Sequence, residues 1–224
     1  MKNKPFQIAI DGPAASGKST VGKLLADELG YLFFDTGLMY RIATYAVIQN
    51  KAEDSDVDSI AALTRSLDIQ LQNDAVRQET IVLLNGKDIS EQLHTPEIDA
   101  HVSIVAAIPA VREVLTDQQR KISAGGNIVV VGRDIGTVVL PDADLKIYLS
   151  ASAEKRAERR FQENIKKGIE SVYAEILNAI HQRDQLDSTR AVAPLKPADD
   201  AVIIDTDELN PQQVVAKILQ SIHN

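Results

Sequence analysis

The sequence predicts an α/β protein in three layers: a central five-stranded parallel sheet with helices on both faces, interrupted by a small antiparallel insertion. Three observations carry this expectation. Short apolar runs of strand length alternate with segments of helical period along most of the chain. The first run leads through a Gly/Ser-rich loop into a helix. The middle of the chain holds a tight-turn dipeptide beside strand-like residues.

Taken in order, Gln7–Asp11 is the first strand. Thr20–Leu29 has helical spacing and stops at Gly30, a residue suited to the left-handed end of a helix. Tyr31–Phe34 is a short strand ending in Asp35, and Leu38–Gln49 is a second helix. Leu67–Leu71 and Thr80–Leu84 read as strands, with Asn85-Gly86 as a hairpin turn, which places an antiparallel insertion at about 66–95. Asn127–Val131 is strongly β-branched, and Leu145–Leu149 is the next strand. Ala153–Lys167 and Ser171–Arg183 read as helices. Val202–Ile204 is the last strand, and a final helix starts near Pro211, where proline fits the first turn. Strands alternating with helices imply parallel pairing under cover on both faces.

Composition narrows the function. The 224 residues suffice for one substantial core, and no apolar run approaches a membrane span. Met1 to Gln7 leaves no room for a signal peptide ahead of the first strand. The chain has no cysteine, and its four histidines (His94, His101, His181, His223) show no ligand-pair spacing. These features suggest a cytoplasmic protein without a built-in metal site. A net charge of −8 argues against a nucleic-acid polymer or an anionic membrane as partner, whereas local arginine clusters suit a small anionic ligand.

Gly12-Pro13-Ala14-Ala15-Ser16-Gly17-Lys18-Ser19 fits the Gly-x-x-x-x-Gly-Lys-Ser/Thr pattern. Glycines allow a tight turn that gathers N–H groups around phosphate oxygens, and the following helix adds its positive end. Lys18 reaches the β- and γ-phosphates, and the Ser19 hydroxyl is a ligand for Mg²⁺. Four fixed positions match by chance in roughly 1% of chains this long, and this match also sits between a strand and a helix. An Asn-Lys-x-Asp guanine-reading motif is absent, since Asn3-Lys4-Pro5-Phe6 lacks the aspartate.

Arginines and aspartates then gather near strand ends, where open α/β sheets bind ligands. Asp35-Thr36-Gly37 precedes Tyr40-Arg41, and Gly132-Arg133-Asp134 follows the β-branched strand. Arg156, Arg159 and Arg160 share a helical face, and Arg183, Asp187 and Arg190 repeat the pattern. Each set also fits a plainer role as surface ion pairs, and Asp35 also fits a helix cap. Two sets of guanidiniums suit a reaction that joins two phosphorylated compounds. A kinase acting on a hydroxyl would instead use Asp35 or Asp134 as base. A nucleotide-dependent switch would bind ATP without phosphotransfer.

Over nearly its whole length the chain resembles the bacterial cytidylate kinases. The resemblance rests on Ile10–Thr20, Asp35–Arg41, Ser103–Ala107 with Val111-Arg112-Glu113, Gly132–Val139, Pro141-Asp142-Ala143 and Arg190–Leu195. It implies a P-loop fold acting on CMP and dCMP with ATP and Mg²⁺. The implied organisation is a single domain, with a core of 1–65 and 109–224, an NMP-binding insertion at about 66–108 and a helical lid at about 156–170. The ATP loop would comprise Gly12, Pro13, Ala14, Ala15, Ser16, Gly17, Lys18, Ser19 and Thr20. The resemblance places Ser103, Arg112 and Asp134 at cytosine, with Thr36 facing the nucleotide. Arg41 and Arg133 would hold the CMP phosphate, Arg183 and Asp187 lie near the ribose, and Arg190 lies near base and phosphates. Lys18, Arg156, Arg159 and Arg160 would act on the transferring phosphoryl group, with Ser19 on the Mg²⁺. Two departures from the family pattern are Ala14-Ala15-Ser16 in the loop, where Ser-Gly-Ala is commoner, and Leu186 where a polar residue is frequent. A monomer is the expected state.

Overall fold

A computed structural model describes residues 6–53, 56–74 and 79–223. The chain runs β1 (Gln7–Asp11), α1 (Lys18–Leu29), β2 (Leu32–Asp35), α2 (Gly37–Gln49), α3 (Val57–Ser66), β3 (Ile69–Asp74), β4 (Glu79–Leu84) and β5 (Lys87–Asp88). A 3₁₀ turn (Glu91–His94) leads to α4 (Pro96–Ala107), α5 (Pro109–Ser123) and β6 (Ile128–Gly132). A π turn (Ile135–Val139) follows, then β7 (Leu145–Ser150), α6 (Ala153–Lys166), α7 (Tyr173–Thr189), β8 (Val202–Asp205) and α8 (Pro211–His223).

β1 takes the centre of a five-stranded sheet of order β2-β6-β1-β7-β8 because both of its faces are apolar. Ile8, Ala9 and Ile10 point alternately to the two faces, and all three are fully buried. Every pairing in this sheet is parallel. Register brings Asp11 opposite Gly132 and Tyr148, Asp35 opposite Val131, and Ser150 opposite Asp205. The carboxyl ends of all five strands therefore share one edge, and the loops that carry the site leave from it. Val21 and Leu25 of α1 and Val214 and Ile218 of α8 pack on β1, β6 and β7 in one apolar cluster. Each such aliphatic side chain contributes about 1.5–3 kcal/mol when fully buried.

The chain divides into two compact units. One comprises the residues up to Thr36 with those from Gln119 onward, and the other is Gly37–Gln118. The second unit holds α2, α3, α4 and an antiparallel sheet of order β3-β4-β5. Asn85 and Gly86 both take positive φ (51 and 78), and Leu84 pairs with Lys87 across them, so this is the two-residue hairpin turn expected. Its second arm is β5, a two-residue strand that sequence periodicity did not reveal.

Other boundaries moved for local reasons. β3 begins at Ile69 rather than Leu67, because Leu67 caps the C-terminus of α3. The α3, α4 and α5 helices were not anticipated, although two carry start signals. Asp56 accepts from the Ser59 N–H, and Thr95 accepts from Ile98 N–H ahead of Pro96. α7 runs on to Thr189, six residues past the expected end at Arg183. Its last turns are mostly polar, so the apolar period gave no signal there. The extension places Arg183, Asp184 and Asp187 on one helix.

Candidate active site

The phosphate loop turns sharply at its first residue. Gly12 has φ of 150°, and a Cβ there would lie 2.2 Å from the Leu149 carbonyl oxygen, so only glycine fits. Ala15 takes φ of 58°, a left-handed conformation that costs a residue with a side chain roughly 1–2 kcal/mol. Pro13, Ala14 and Ser16 are buried, while Ser19 and Thr20 stand exposed on the first turn of α1. Lys18 Nζ donates to the Pro13 carbonyl at 2.6 Å and lies 3.4 Å from Ser16 Oγ. Burial, then the positive charge of Arg133, pushes the Lys18 ammonium well below its ordinary pKa, against the pull of Asp35 and Asp11. Arg183 repels it as well. Lys18 thus lies in the repulsive field of two guanidiniums, which an anion held among them would relieve.

Ser19 Oγ donates to Asp35 Oδ2 at 2.6 Å. This hydroxyl and carboxylate are hard oxygen donors at the mouth of the loop. Among the described residues no cluster of three or more His, Cys, Asp or Glu gathers as a metal set. Mg²⁺ in phosphate sites needs only one or two protein oxygens beside the phosphates and waters, so the pair fits that ion.

Along the same edge, Arg133 and Asp134 occupy the two positions between β6 and the π turn. Arg133 Nε donates to Asp187 Oδ2 at 3.0 Å. Burial alone would raise the Asp187 carboxyl, but Arg133, Arg183 and Arg190 outweigh it and hold the group below its ordinary pKa. Asp134 and Arg190 are buried with 3.8 Å between their charged groups. Thr36 is buried and donates to the Val131 carbonyl at 2.9 Å. The structure thus brings together Lys18, Arg133, Asp134, Arg183, Asp187 and Arg190.

The arginines of α6 do not converge on one point. Arg156 is buried, with its guanidinium bidentate on Asp184 and also donating to the carbonyls of Ala14 and Ala151. Arg159 donates to the hydroxyl and carbonyl of Thr206, just past β8. Arg160 lies 3.8 Å from Glu163 and is half-buried. Gly168, with φ of 69°, ends α6: Ile169 N–H returns to the Asn164 carbonyl and Gly168 N–H to Ile165.

In the second unit, Arg41 of α2 pairs with Asp99 of α4 at 2.6 Å and donates to the Leu93 carbonyl at 2.9 Å. Ser103, also buried, lies one helical turn beyond Asp99 on α4. Arg112 is buried, donates to the Ala106 carbonyl at 3.1 Å, and lies 5.3 Å over the Tyr40 ring.

Sequence reasoning missed four partners that place these groups. Asp99, Asp184 and Thr206 hold the arginines just described. Asp11 is buried at the end of β1 and accepts the N–H groups of Ile135 and Gly136, each at 2.7 Å. A charged residue closing an apolar strand was the available signal for Asp11. The others are ordinary polar residues until the fold gives them neighbours.

A glycine-cornered loop with a buried lysine, a hard-oxygen pair and an arginine–aspartate network at the sheet's carboxyl edge define a small-molecule kinase of the phosphate-loop class. A solved shikimate kinase from Bacteroides thetaiotaomicron shares the fold, with a TM-score of 0.50 at 13% identity over 98% of this chain and 99% of that one. Within that class the family is specific. The cytidylate kinase family model matches residues 8–224. A cytidylate kinase of Bacillus cereus is 46% identical over 220 residues, covering 98% of this chain and 97% of the relative. One from Carboxydothermus hydrogenoformans is 46% identical over 217 residues, covering 97% of each. The chain belongs to the cytidylate kinase family.

Proposed function

We propose that this chain transfers the γ-phosphoryl group of ATP to CMP, and to dCMP, giving the nucleoside diphosphate. The observation that carries this reading is the shared strand edge: the phosphate loop after β1 and the Arg133–Asp134 pair after β6 leave from register-matched residues, Asp11 and Gly132. Donor and acceptor phosphates are thereby offered neighbouring anchors.

The acceptor is a phosphate monoester whose second ionisation lies near ~6. Its oxygen is anionic at neutral pH, so the site needs cations and alignment rather than a base. Lys18 neutralises charge on the β- and γ-phosphates, and the loop's N–H groups orient them. Ser19 and Asp35 would hold Mg²⁺, which supplies charge neutralisation across those oxygens when bound. Arg133 is assigned to the acceptor phosphate, and Arg183 and Asp187 to the acceptor's ribose.

Of the lid arginines, Arg160 is the one whose present partner is weakest, an exposed glutamate at 3.8 Å. It is assigned to the transferring group, with Arg159. Arg156 would have to leave Asp184 to join them.

Cytosine offers an N4 donor beside N3 and O2 acceptors. Asp134 accepts from N4, and Arg190 beside it supplies a donor. Uracil presents a carbonyl in place of N4, which leaves Asp134 facing another acceptor, and buried mismatches of this kind discriminate strongly. Acceptor-dependent ADP release with CMP, dCMP, UMP and AMP tests the reading. CMP and dCMP should exceed UMP in kcat/KM by at least about a hundredfold. Equal values for CMP and UMP would refute the base pocket, and ADP release independent of acceptor would refute phosphotransfer to a nucleotide.

A further inference from the structure

We infer that Asp11 and Arg120 are positioning residues for the acceptor nucleotide, which clamp the π turn Ile135–Val139 at its two ends and so fix Arg133 and Asp134 beside the phosphate loop. The inference rests on the acceptor reading above and deepens it.

Only two residues, Arg133 and Asp134, separate β6 from the turn, so their placement follows from how the turn is held. A single π turn is a rare and weak unit by itself. Its own closure consists of Val138 and Val139 N–H on the Asp134 carbonyl and Leu140 N–H on Ile135. The remainder comes from far away in sequence. At the N-terminal end both Asp11 carboxylate oxygens are used, one on Ile135 N–H and one on Gly136 N–H. At the C-terminal end Arg120 Nε donates to the Val139 carbonyl at 3.1 Å and Nη2 to Val138 at 2.8 Å. An anion at the N-terminus and a cation at the C-terminus match the sense of the peptide dipoles.

The arrangement also explains what Asp134 does not do. It occupies the N-cap position, where an aspartate ordinarily accepts from its own turn, yet its side chain makes no cap hydrogen bond. Asp11 performs that task instead, and the Asp134 carboxylate is directed toward Arg190. The turn folds back tightly on the strand end: a Cβ on Gly132 would lie 2.6 Å from both Ile135 and Thr36 Oγ1. Asp11 is also the residue immediately before Gly12. One carboxylate therefore ties the acceptor loop to the root of the donor loop, the separation that in-line transfer depends on. Burying it is costly, and Asp11 is 3% exposed. Burial raises its pKa to about 6 against the two N–H donors, which leaves it ionised at neutral pH.

The test compares Arg120→Met, Arg120→Lys and Asp11→Asn with the wild-type chain in steady-state kinetics, CMP-binding calorimetry and amide exchange at Ile135 and Gly136. Asn keeps the shape but turns an NH₂ group toward one of the two N–H donors. Asp11→Asn and Arg120→Met should each raise KM for CMP about tenfold or more. KM for ATP should stay within about twofold, and Asp11→Asn should accelerate exchange at both amides. Arg120→Lys should recover part of the loss, since an ammonium can donate to the same carbonyls. Parallel increases in KM for ATP and CMP, or an unchanged KM for CMP in Arg120→Met, would overturn the inference. Arg120→Met decides it alone if Asp11→Asn does not fold. A wild-type chain inactive on CMP would sink the acceptor reading and this positioning role with it. A wild-type chain active on CMP, with the variants unmoved, would sink only the clamp.

Discussion

The phosphate loop and the Arg133–Asp134 loop leave adjacent strands at the same edge, yet they are built on different principles. The first is local. Gly12 to Ser19 contains its own turn, its own lysine and the start of its own helix, and Lys18 is held by the carbonyl of Pro13, five residues away. The second is assembled from a distance. Its π turn is capped by Asp11, 124 and 125 positions earlier, and its arginine is held by Asp187, 54 positions later. A local device is written as a motif and survives as a pattern. An assembled one is a set of isolated polar residues until the sheet brings them together.

The largest effect should come from breaking the local device. Lys18→Ala removes the cation that the proposed function assigns to the transferring group. It should lower turnover by about a hundredfold or more, on the order of 3 kcal/mol, while calorimetry shows CMP binding largely intact. Comparable turnover in the variant would show that the loop binds phosphate without acting on it.

Stability measured against pH sharpens the contrast for the assembled device, because its two carboxylates titrate in opposite senses. Burial raises Asp11 from 3.8 to about 6. Between those values the folded chain keeps a proton that the unfolded chain has released, so Asp11 subtracts stability as pH rises through the window. The sum is on the order of 3 kcal/mol. Asp134, Lys18 and Tyr148 face this group and shift the window only secondarily. Asp187 is held below 3.8, so its contribution is complete above that value and is lost as pH falls through the lower folded one. Denaturant unfolding of the wild type minus Asp11→Asn should slope downward with rising pH only between about pH 4 and pH 6. The wild type minus Asp187→Asn should change only below about pH 4, with the opposite sign. Slopes of the same sign would break the distinction.

The smallest effect belongs to the phosphate loop's own strain. Ala15→Gly relieves the left-handed conformation but gives the unfolded chain more freedom, so the net gain in stability should be at most about 1 kcal/mol. Thermal unfolding reads it, and a loss of stability would show that the freedom gained by the unfolded chain outweighs the relieved strain.

Much of this molecule was legible in the chain itself. β1, β6, β7 and β8 lie within a residue of their expected bounds: β1 and β6, buried on both faces, must be continuous apolar runs, whereas in the edge strand β8 only Ile204 is buried and the short Val-Ile-Ile run itself gave the signal. The Gly12–Ser19 loop and the Asn85-Gly86 turn were legible because each needs particular backbone freedom that few residues supply. Motif order further placed Arg133, Asp134, Asp187 and Arg190 as candidates. What the sequence could not determine was partnership. Nothing local distinguishes Asp187, buried on Arg133, from the exposed aspartates elsewhere, and nothing local says that Arg156 meets Asp184 rather than its neighbours on α6. Periodicity reports burial, which a single element can encode. Ion pairs and caps between distant residues depend on which strands become neighbours, and only the tertiary structure decides that.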